Sequence, residues 1–151
     1  ATPERRLETI AALAEAGVPA AVLTAPMIPA LNDGEMEKLL ERARAAGASS
    51  AGYTLLRLPL ELKTLFREWL EEHFPDKAAH VLSLVAQAHG GRLYDSNWST
   101  RMTGAGPYAE MLRLRFACAC RHLGFDRRST DALDPTHFRP PPQPGAQLAL
   151  F

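Results

Sequence analysis

Apolar residues recur with a helical period in two stretches of the first sixty residues, and a short, nearly continuous apolar run follows each stretch. The helical stretches begin near Thr2 and near Asn32 or Asp33, which are residues of the kind that cap helices, and both end at glycines. The apolar runs over 18–25 and 50–58 are typical of parallel strands that are covered on both faces. The order helix–strand–helix–strand predicts a right-handed βαβ unit within an α/β fold.

Beyond the second apolar run, the apolar positions predict three more helices, each opened by a proline. A loop rich in polar and aromatic residues, 90–106, separates the last two of them. A proline-rich stretch near the end is typical of a stiff, extended linker. The pattern therefore divides the chain into βα units over 1–58, a helical region over 59–125 and a tail over 126–151.

Two strands are too few for a stable parallel sheet, because edges and apolar surface would stay open. Three explanations fit: strands supplied by a preceding segment, a second copy of the chain that completes the sheet as a dimer, or strands that the pattern does not reveal. The chain starts without methionine and almost inside a helix. We therefore expect it to be the rear part of a longer protein.

Composition and charge exclude several classes of protein. The 17 acidic and 17 basic residues leave no net charge that would attract nucleic acid or an anionic membrane over the whole surface. No signal peptide and no run of about 18 apolar residues is visible, so we expect a cytoplasmic protein with no membrane partner.

Cys118 and Cys120 would point about 200° apart on a helix and fit neither a disulfide nor a metal site. The five histidines show no ligand spacing, so no metal site is predicted in this chain.

The turn over 26–33 reads Pro-Met-Ile-Pro-Ala-Leu-Asn-Asp and directly follows the first apolar run. It resembles the loop after the fifth strand of radical S-adenosylmethionine (SAM) enzymes, in the variant Pro-x-Ile-Pro-Gly-Leu-Asn-Asp, with Ala30 in place of the glycine. The segments 51–59, 90–96 and 100–109 resemble bacterial members of this superfamily that are similar to spore photoproduct lyase. The Cys-x-x-x-Cys-x-x-Cys loop that defines the superfamily is not in this sequence.

The resemblance implies the C-terminal half of a partial (β/α) barrel with a helical C-terminal extension. The full-length parent would bind SAM and a [4Fe–4S] cluster, which reduces SAM to a 5′-deoxyadenosyl radical that abstracts hydrogen from a substrate. This chain alone is expected to be inactive, because it lacks the cluster cysteines. The implied cofactor-binding residues are Pro26, Ile28 and Ala30 on the turn, with Tyr53 and Leu55 on the following strand.

Four charged residues are candidates for contact with a substrate. Arg57 and Lys63 follow the second apolar run, where sites form in parallel α/β folds, and Asp95 and Arg101 lie in the polar loop. Aromatic residues beside cations in this loop suit base stacking and phosphate contact, so DNA is a candidate partner. The alternatives are cations that lie along the surface and a loop whose aromatic residues pack on the body of the protein.

The last five residues, Gln-Leu-Ala-Leu-Phe, match the pentapeptide with which bacterial proteins bind the DNA polymerase sliding clamp. Leu150 and Phe151 would fill an apolar pocket on the clamp, Leu148 a shallower one, and Gln147 would hydrogen-bond its rim. The alternative is a tail that folds back onto its own body.

These observations leave three hypotheses on function. The first is a lyase-like radical SAM enzyme that acts in DNA repair or nucleic-acid modification and is recruited by the sliding clamp. The second is a non-catalytic adaptor domain whose activity is clamp binding. The third is an RNA- or protein-modifying radical enzyme in which the match of the tail is accidental.

Overall fold

A computed structural model describes residues 2–125 and residue 139. The described part is a mixed α/β structure, as the hydrophobic pattern predicts. Its elements in chain order are helix α1 (Pro3–Glu15), strand β1 (Ala21–Met27), a 3-10 turn (Asp33–Glu35), α2 (Met36–Ala45), β2 (Ser50–Leu55), α3 (Leu62–His73), α4 (Pro75–Ala88) and α5 (Gly106–Leu123). None of the described helices has both the length and the apolar character needed to cross a membrane.

The two strands pair in parallel, and α2 connects them, so the predicted parallel pair is confirmed. The register runs from Ala21 opposite Ser50 to Thr24 opposite Tyr53, and it shifts before Met27 pairs with Leu55. The shift coincides with Pro26, whose peptide bond with Ala25 is cis. Proline has no N–H to donate to a ladder, which explains why regular pairing ends at this point.

The prediction that both strands are covered on both faces is wrong for β1 within residues 2–125. Val22, Ala51 and Tyr53 lie on the face that packs against the core. On the opposite face Ala21 and Ala25 are exposed, and Leu23 is 64% exposed. The described helices supply apolar cover to only one face, so the apolar composition of β1 exceeds what this part of the chain buries.

Two apolar clusters form the interior, one beside the sheet and one beyond its carboxyl end. The first lies between the sheet, α2 and α5, and its fully buried side chains include Met36, Leu40 and Leu112. The second is formed by the α3–α4 pair and the segments that leave the strands; its buried residues are Leu58, Leu70, Ala78, Val81 and Val85. The carboxyl ends of β1 and β2 therefore lie between the two apolar clusters.

Gly104 packs the polar loop against the first cluster at a point where only glycine fits. Its φ of +72° is in the left-handed region, and its N–H donates to the carbonyl of Thr100 over 2.7 Å. A Cβ atom there would lie 2.7 Å from a methyl carbon of Leu55 and 3.0 Å from the carbonyl oxygen of Ala88. Gly104 therefore sets how closely the polar loop approaches β2 and α4.

We expect Gly104→Ala to lower the free energy of unfolding by about 3 kcal/mol, because it adds steric overlap to backbone strain. Gly90→Ala is the matched control, since Gly90 has a φ of +68° but nothing within 4 Å of its would-be Cβ. The control should cost only the strain, about 1 kcal/mol. Urea denaturation of both variants measures the difference; equal losses would contradict the packing role of Gly104.

Candidate functional site

The segment after β1 is a hydrogen-bonded turn at the carboxyl end of the parallel strands, which is where sites form in parallel α/β folds. The side-chain oxygen of Asn32 accepts from the N–H of Ile28 over 2.7 Å, and its NH₂ group donates to the carbonyl of Pro26 over 3.0 Å. The N–H groups of Leu31 and Asn32 both donate to the carbonyl of Ile28. Asn32 was predicted as a helix cap; instead its side chain closes this turn, because the backbone groups of the turn lack partners of their own.

Ala30 adopts a left-handed backbone conformation, with φ at +58°. This conformation costs an alanine about 1 kcal/mol and costs glycine nothing comparable. Ala30 is the position at which the radical SAM variant of this turn carries glycine. The backbone of this chain thus has the conformation that a glycine would favour, although the residue is alanine.

Helix α5 holds the turn through Tyr108 and Arg115. The N–H of Ala30 donates to the Tyr108 hydroxyl over 3.0 Å, and this hydroxyl donates to Oδ2 of Asp33 over 2.9 Å. Arg115 donates to the same carboxylate oxygen over 3.2 Å and to the carbonyl of Asp33 over 3.0 Å. The predicted capping role of Asp33 is therefore also wrong: its carboxylate is buried and serves the contact with α5.

Arg115 also forms a two-bond ion pair with Glu37 of α2, with both N···O distances at 2.8 Å. The hydrogen bonds from Arg115 hold the pKa of Glu37 below its ordinary value, and the pair raises the pKa of Arg115. Burial, helped by the hydrogen bond to Asp33, raises the pKa of the Tyr108 phenol. One network of charged and hydroxyl groups therefore connects the turn, α2 and α5.

Sequence reasoning did not find Tyr108 and Arg115 as partners of the turn. Their partners lie 75 to 82 positions away in the chain, so no local pattern relates them. The available signal was that Tyr108, Leu112 and Arg115 lie at helical spacing on one face of α5. Leu112 is fully buried, so its polar neighbours on that face also point toward the core.

The five predicted cofactor-binding residues lie at one end of the sheet, but their side chains have different surroundings. Pro26 is exposed, Ala30 is half-buried, and Ile28 is half-buried against the second apolar cluster. The Tyr53 ring packs on Phe116, with ring centroids 4.8 Å apart.

Leu55 is buried, and its N–H donates to the carbonyl of Met102 over 2.9 Å. The side chains of Tyr53 and Leu55 are thus occupied by packing.

A groove of about 430 Å³ runs beside β1, between α1 and α2. Leu7, Leu23, Pro26, Asn32 and Leu39 are among the residues that line it. Of the five predicted cofactor-binding residues, only Pro26 lines this groove. Most of its lining is apolar, and it follows the edge of β1 that has no paired strand in residues 2–125.

Two of the four predicted substrate residues, Arg57 and Arg101, lie beside aromatic rings of the polar loop. Arg57 contacts the Met102 sulfur over 3.4 Å and lies 6.0 Å from the centre of the Tyr94 ring. Arg101 is next to Met102 in the chain, and its guanidinium lies 3.6 Å above the Trp98 ring.

The other two substrate candidates have different positions. Asp95 accepts hydrogen bonds from the N–H of Asn97 and the hydroxyl of Thr100, so its carboxylate shapes the loop. Lys63 is exposed on the first turn of α3, and no described interaction joins it to the polar loop.

Four observations concern metal-binding side chains and the tail. Within the described residues, no three His, Cys, Asp or Glu side chains are grouped so that they could hold a metal ion. Both cysteines are free thiols; Cys118 is exposed, and burial raises the pKa of Cys120. His89 is buried with Nε2 3.1 Å from the carbonyl oxygen of Leu56, at the end of β2. The predicted clamp-binding residues Gln147, Leu148, Leu150 and Phe151 lie outside the part of the chain that the structure describes.

Comparison of the chain with protein-family models, with curated proteins and with solved structures found no match.

Two Tyr→Phe changes test the hydroxyl network. Tyr108→Phe leaves the Ala30 N–H and the Asp33 carboxylate without their shared partner, so we expect a loss of about 2 kcal/mol in unfolding free energy. Tyr53→Phe is the control, because the Tyr53 hydroxyl is buried and has no hydrogen-bond partner among the described residues. The control should be neutral or stabilising. Thermal and urea unfolding measure both changes, and a neutral Tyr108→Phe would contradict the role of this hydroxyl.

Proposed function

We propose that this chain is the cofactor-side, C-terminal half of a radical SAM enzyme similar to spore photoproduct lyase, acting in DNA repair or nucleic-acid modification. The observation that carries the proposal is the turn after β1. It combines the Pro-x-Ile-Pro-x-Leu-Asn-Asp pattern, a position at the carboxyl end of parallel strands, and a left-handed backbone at Ala30.

The uncovered face of β1 supports the finer proposal of a partial (β/α) barrel. Ala21, Leu23 and Ala25 are exposed on a strand whose composition suits full burial. The free edge of β1 and the groove beside it would accept a further strand from a preceding segment. A second copy of the chain that completes the sheet is the competing occupant of the same edge.

The residues of the turn would bind and orient the adenosyl part of SAM. Pro26, Ile28 and Ala30 would lie against the nucleoside, while Tyr108 and Asp33 hold the turn rigid by hydrogen bonds. The two cysteines do not match the three-cysteine cluster loop, so the ligands of the cluster would come from another part of the parent. The bound cofactors would supply the radical that removes hydrogen from the substrate.

The test uses the longer protein that contains this chain, reconstituted with iron and sulfide, with SAM affinity and 5′-deoxyadenosine release as readouts. Ala30→Gly should keep the SAM affinity of the parent protein, because glycine suits the left-handed turn. Ala30→Val should lower it about tenfold, because a β-branched residue strains that conformation. A longer protein with no three-cysteine loop, or one that does not cleave SAM, would overturn the proposal.

Recruitment by the sliding clamp is the second part of the proposed function. It rests on the sequence of the last five residues and on the proline-rich stretch before them, which would hold the pentapeptide away from the body of the protein. An aromatic residue at the end of such a peptide is the usual anchor in an apolar pocket. A non-catalytic adaptor that binds the clamp would use the same residues.

Phe151→Ala should weaken binding to a purified bacterial sliding clamp by about 2 kcal/mol or more, since it removes the anchor. Ala149→Ser is the matched control, because the second residue from the anchor is not fixed in the pattern, and it should leave affinity unchanged. Calorimetric titration measures both variants. Unaltered affinity of Phe151→Ala would rule out the anchor role.

Deleting residues 147–151 separates the enzyme hypothesis from the adaptor hypothesis. An enzyme would keep its SAM chemistry after the deletion, whereas an adaptor would lose its only activity.

A further inference from the structure

The polar loop holds an exposed tryptophan in a well-defined position. Asp95 accepts from the N–H of Asn97, and the Asn97 side chain accepts from the N–H and the hydroxyl of Ser99. The Asn97 carbonyl accepts from the N–H of Arg101 over 2.8 Å. Trp98 lies inside this set of hydrogen bonds and is 78% exposed. A large apolar ring that gains so little from burial is not explained by folding.

Two arginines lie beside aromatic rings in this loop. The Arg101 guanidinium stacks at 3.6 Å on Trp98, and Arg57 lies 6.0 Å from the centre of the Tyr94 ring. The Nε atoms of both arginines are buried without a hydrogen-bond partner in the described residues. Neither guanidinium forms an ion pair with a carboxylate in that part of the chain, in contrast to Arg115. Their charge is therefore not neutralised by a carboxylate within the described residues.

We propose that Trp98, Arg101, Arg57 and Tyr94 form a binding surface for single-stranded DNA, which we call the stacking surface. The open side of the indole would stack on one unpaired base, and the guanidinium groups would contact the adjacent phosphates. A duplex does not present the faces of its bases, so the exposed ring selects single strands. The charge comes from a few unpaired arginines, which explains how a chain without net charge can bind a polyanion locally.

The stacking surface is attached directly to the proposed cofactor end of the sheet. The carbonyl of Met102 accepts from the N–H of Leu55 over 2.9 Å, and the Met102 sulfur contacts Arg57. A strand of DNA on Trp98 would therefore lie beside the carboxyl end of β2. The inference deepens the proposed function by naming the substrate class. The choice of DNA over RNA rests on the proposed function. The assignment of the stacking surface rests only on the geometry of the loop.

The test measures binding of the 151-residue chain to a fluorescein-labelled oligothymidine of about 15 nucleotides by fluorescence anisotropy, at low and at raised salt. We expect salt-dependent binding that Trp98→Ala weakens about tenfold and Trp98→Phe largely preserves. Arg101→Gln should weaken binding and lower the slope of log affinity against log salt by about 0.7. The assay contains no SAM, iron–sulfur cluster or sliding clamp. Absence of oligonucleotide binding would therefore not contradict the proposals on SAM and on the clamp.

Matched controls keep the outcome specific to the stacking surface. Leu60→Ala truncates an apolar side chain that is 80% exposed outside the loop, and Arg67→Gln removes an exposed cation of α3. Both should leave affinity for the oligonucleotide unchanged. The proposal is overturned by absence of binding at low salt, by a Trp98→Ala variant that binds as well as the parent chain, or by equal losses in the controls. Tighter binding of the duplex, or of RNA of matching length, would also overturn it.

Discussion

The turn after β1 depends on hydrogen bonds from side chains, because its backbone groups do not all pair with one another. Backbone N–H and C=O groups that leave a strand need partners, and a buried group without one costs about 1–3 kcal/mol. Asn32 supplies two of these bonds from within the turn, and Tyr108 supplies a third from α5. Because Asp33 also binds Arg115, the position of the turn and the packing of α2 against α5 are set together.

This shared network gives the carboxyl end of the sheet its shape. On one side lies the cluster between the sheet, α2 and α5, and on the other lies the α3–α4 pair with its own buried residues. Ile28 and Leu56 leave the two strands toward the second cluster, and Gly104 brings the polar loop against Leu55. The end of the sheet is thereby the place where the turn, β2 and the polar loop meet, which is why both proposed sites lie there.

The two faces of β1 relate the fold to the proposed function. One face contributes Val22 to the core, while the other leaves Leu23 exposed over Gly52. An apolar strand with one open face and one open edge is an element that further structure would stabilise by burial. In the proposed barrel half this open face would look toward the interior.

Local sequence pattern was enough to predict the helices, the parallel strand pair and the position of the polar loop. Helical and strand periods and the glycines that follow helices are properties of neighbouring residues. The structure has the predicted elements with shifted ends: β1 spans Ala21–Met27 and not 18–25, and α3 begins at Leu62, so Pro59 does not open it. The left-handed backbone of Ala30 was not indicated by any local pattern.

Only the tertiary structure decided which atoms are occupied by contacts within the protein. Asn32 and Asp33 look like helix caps in sequence, yet the Asn32 side chain bonds the backbone of the turn itself. The Asp33 carboxylate binds Tyr108 and Arg115 of α5, which lie more than 70 positions away in the chain. Long-range packing also distinguishes the arginines. Arg115 forms ion pairs with Asp33 and Glu37, whereas Arg57 and Arg101 form no ion pair with a carboxylate in the described residues. Composition sets which side chains are present, and long-range packing sets which of them remain available for a ligand.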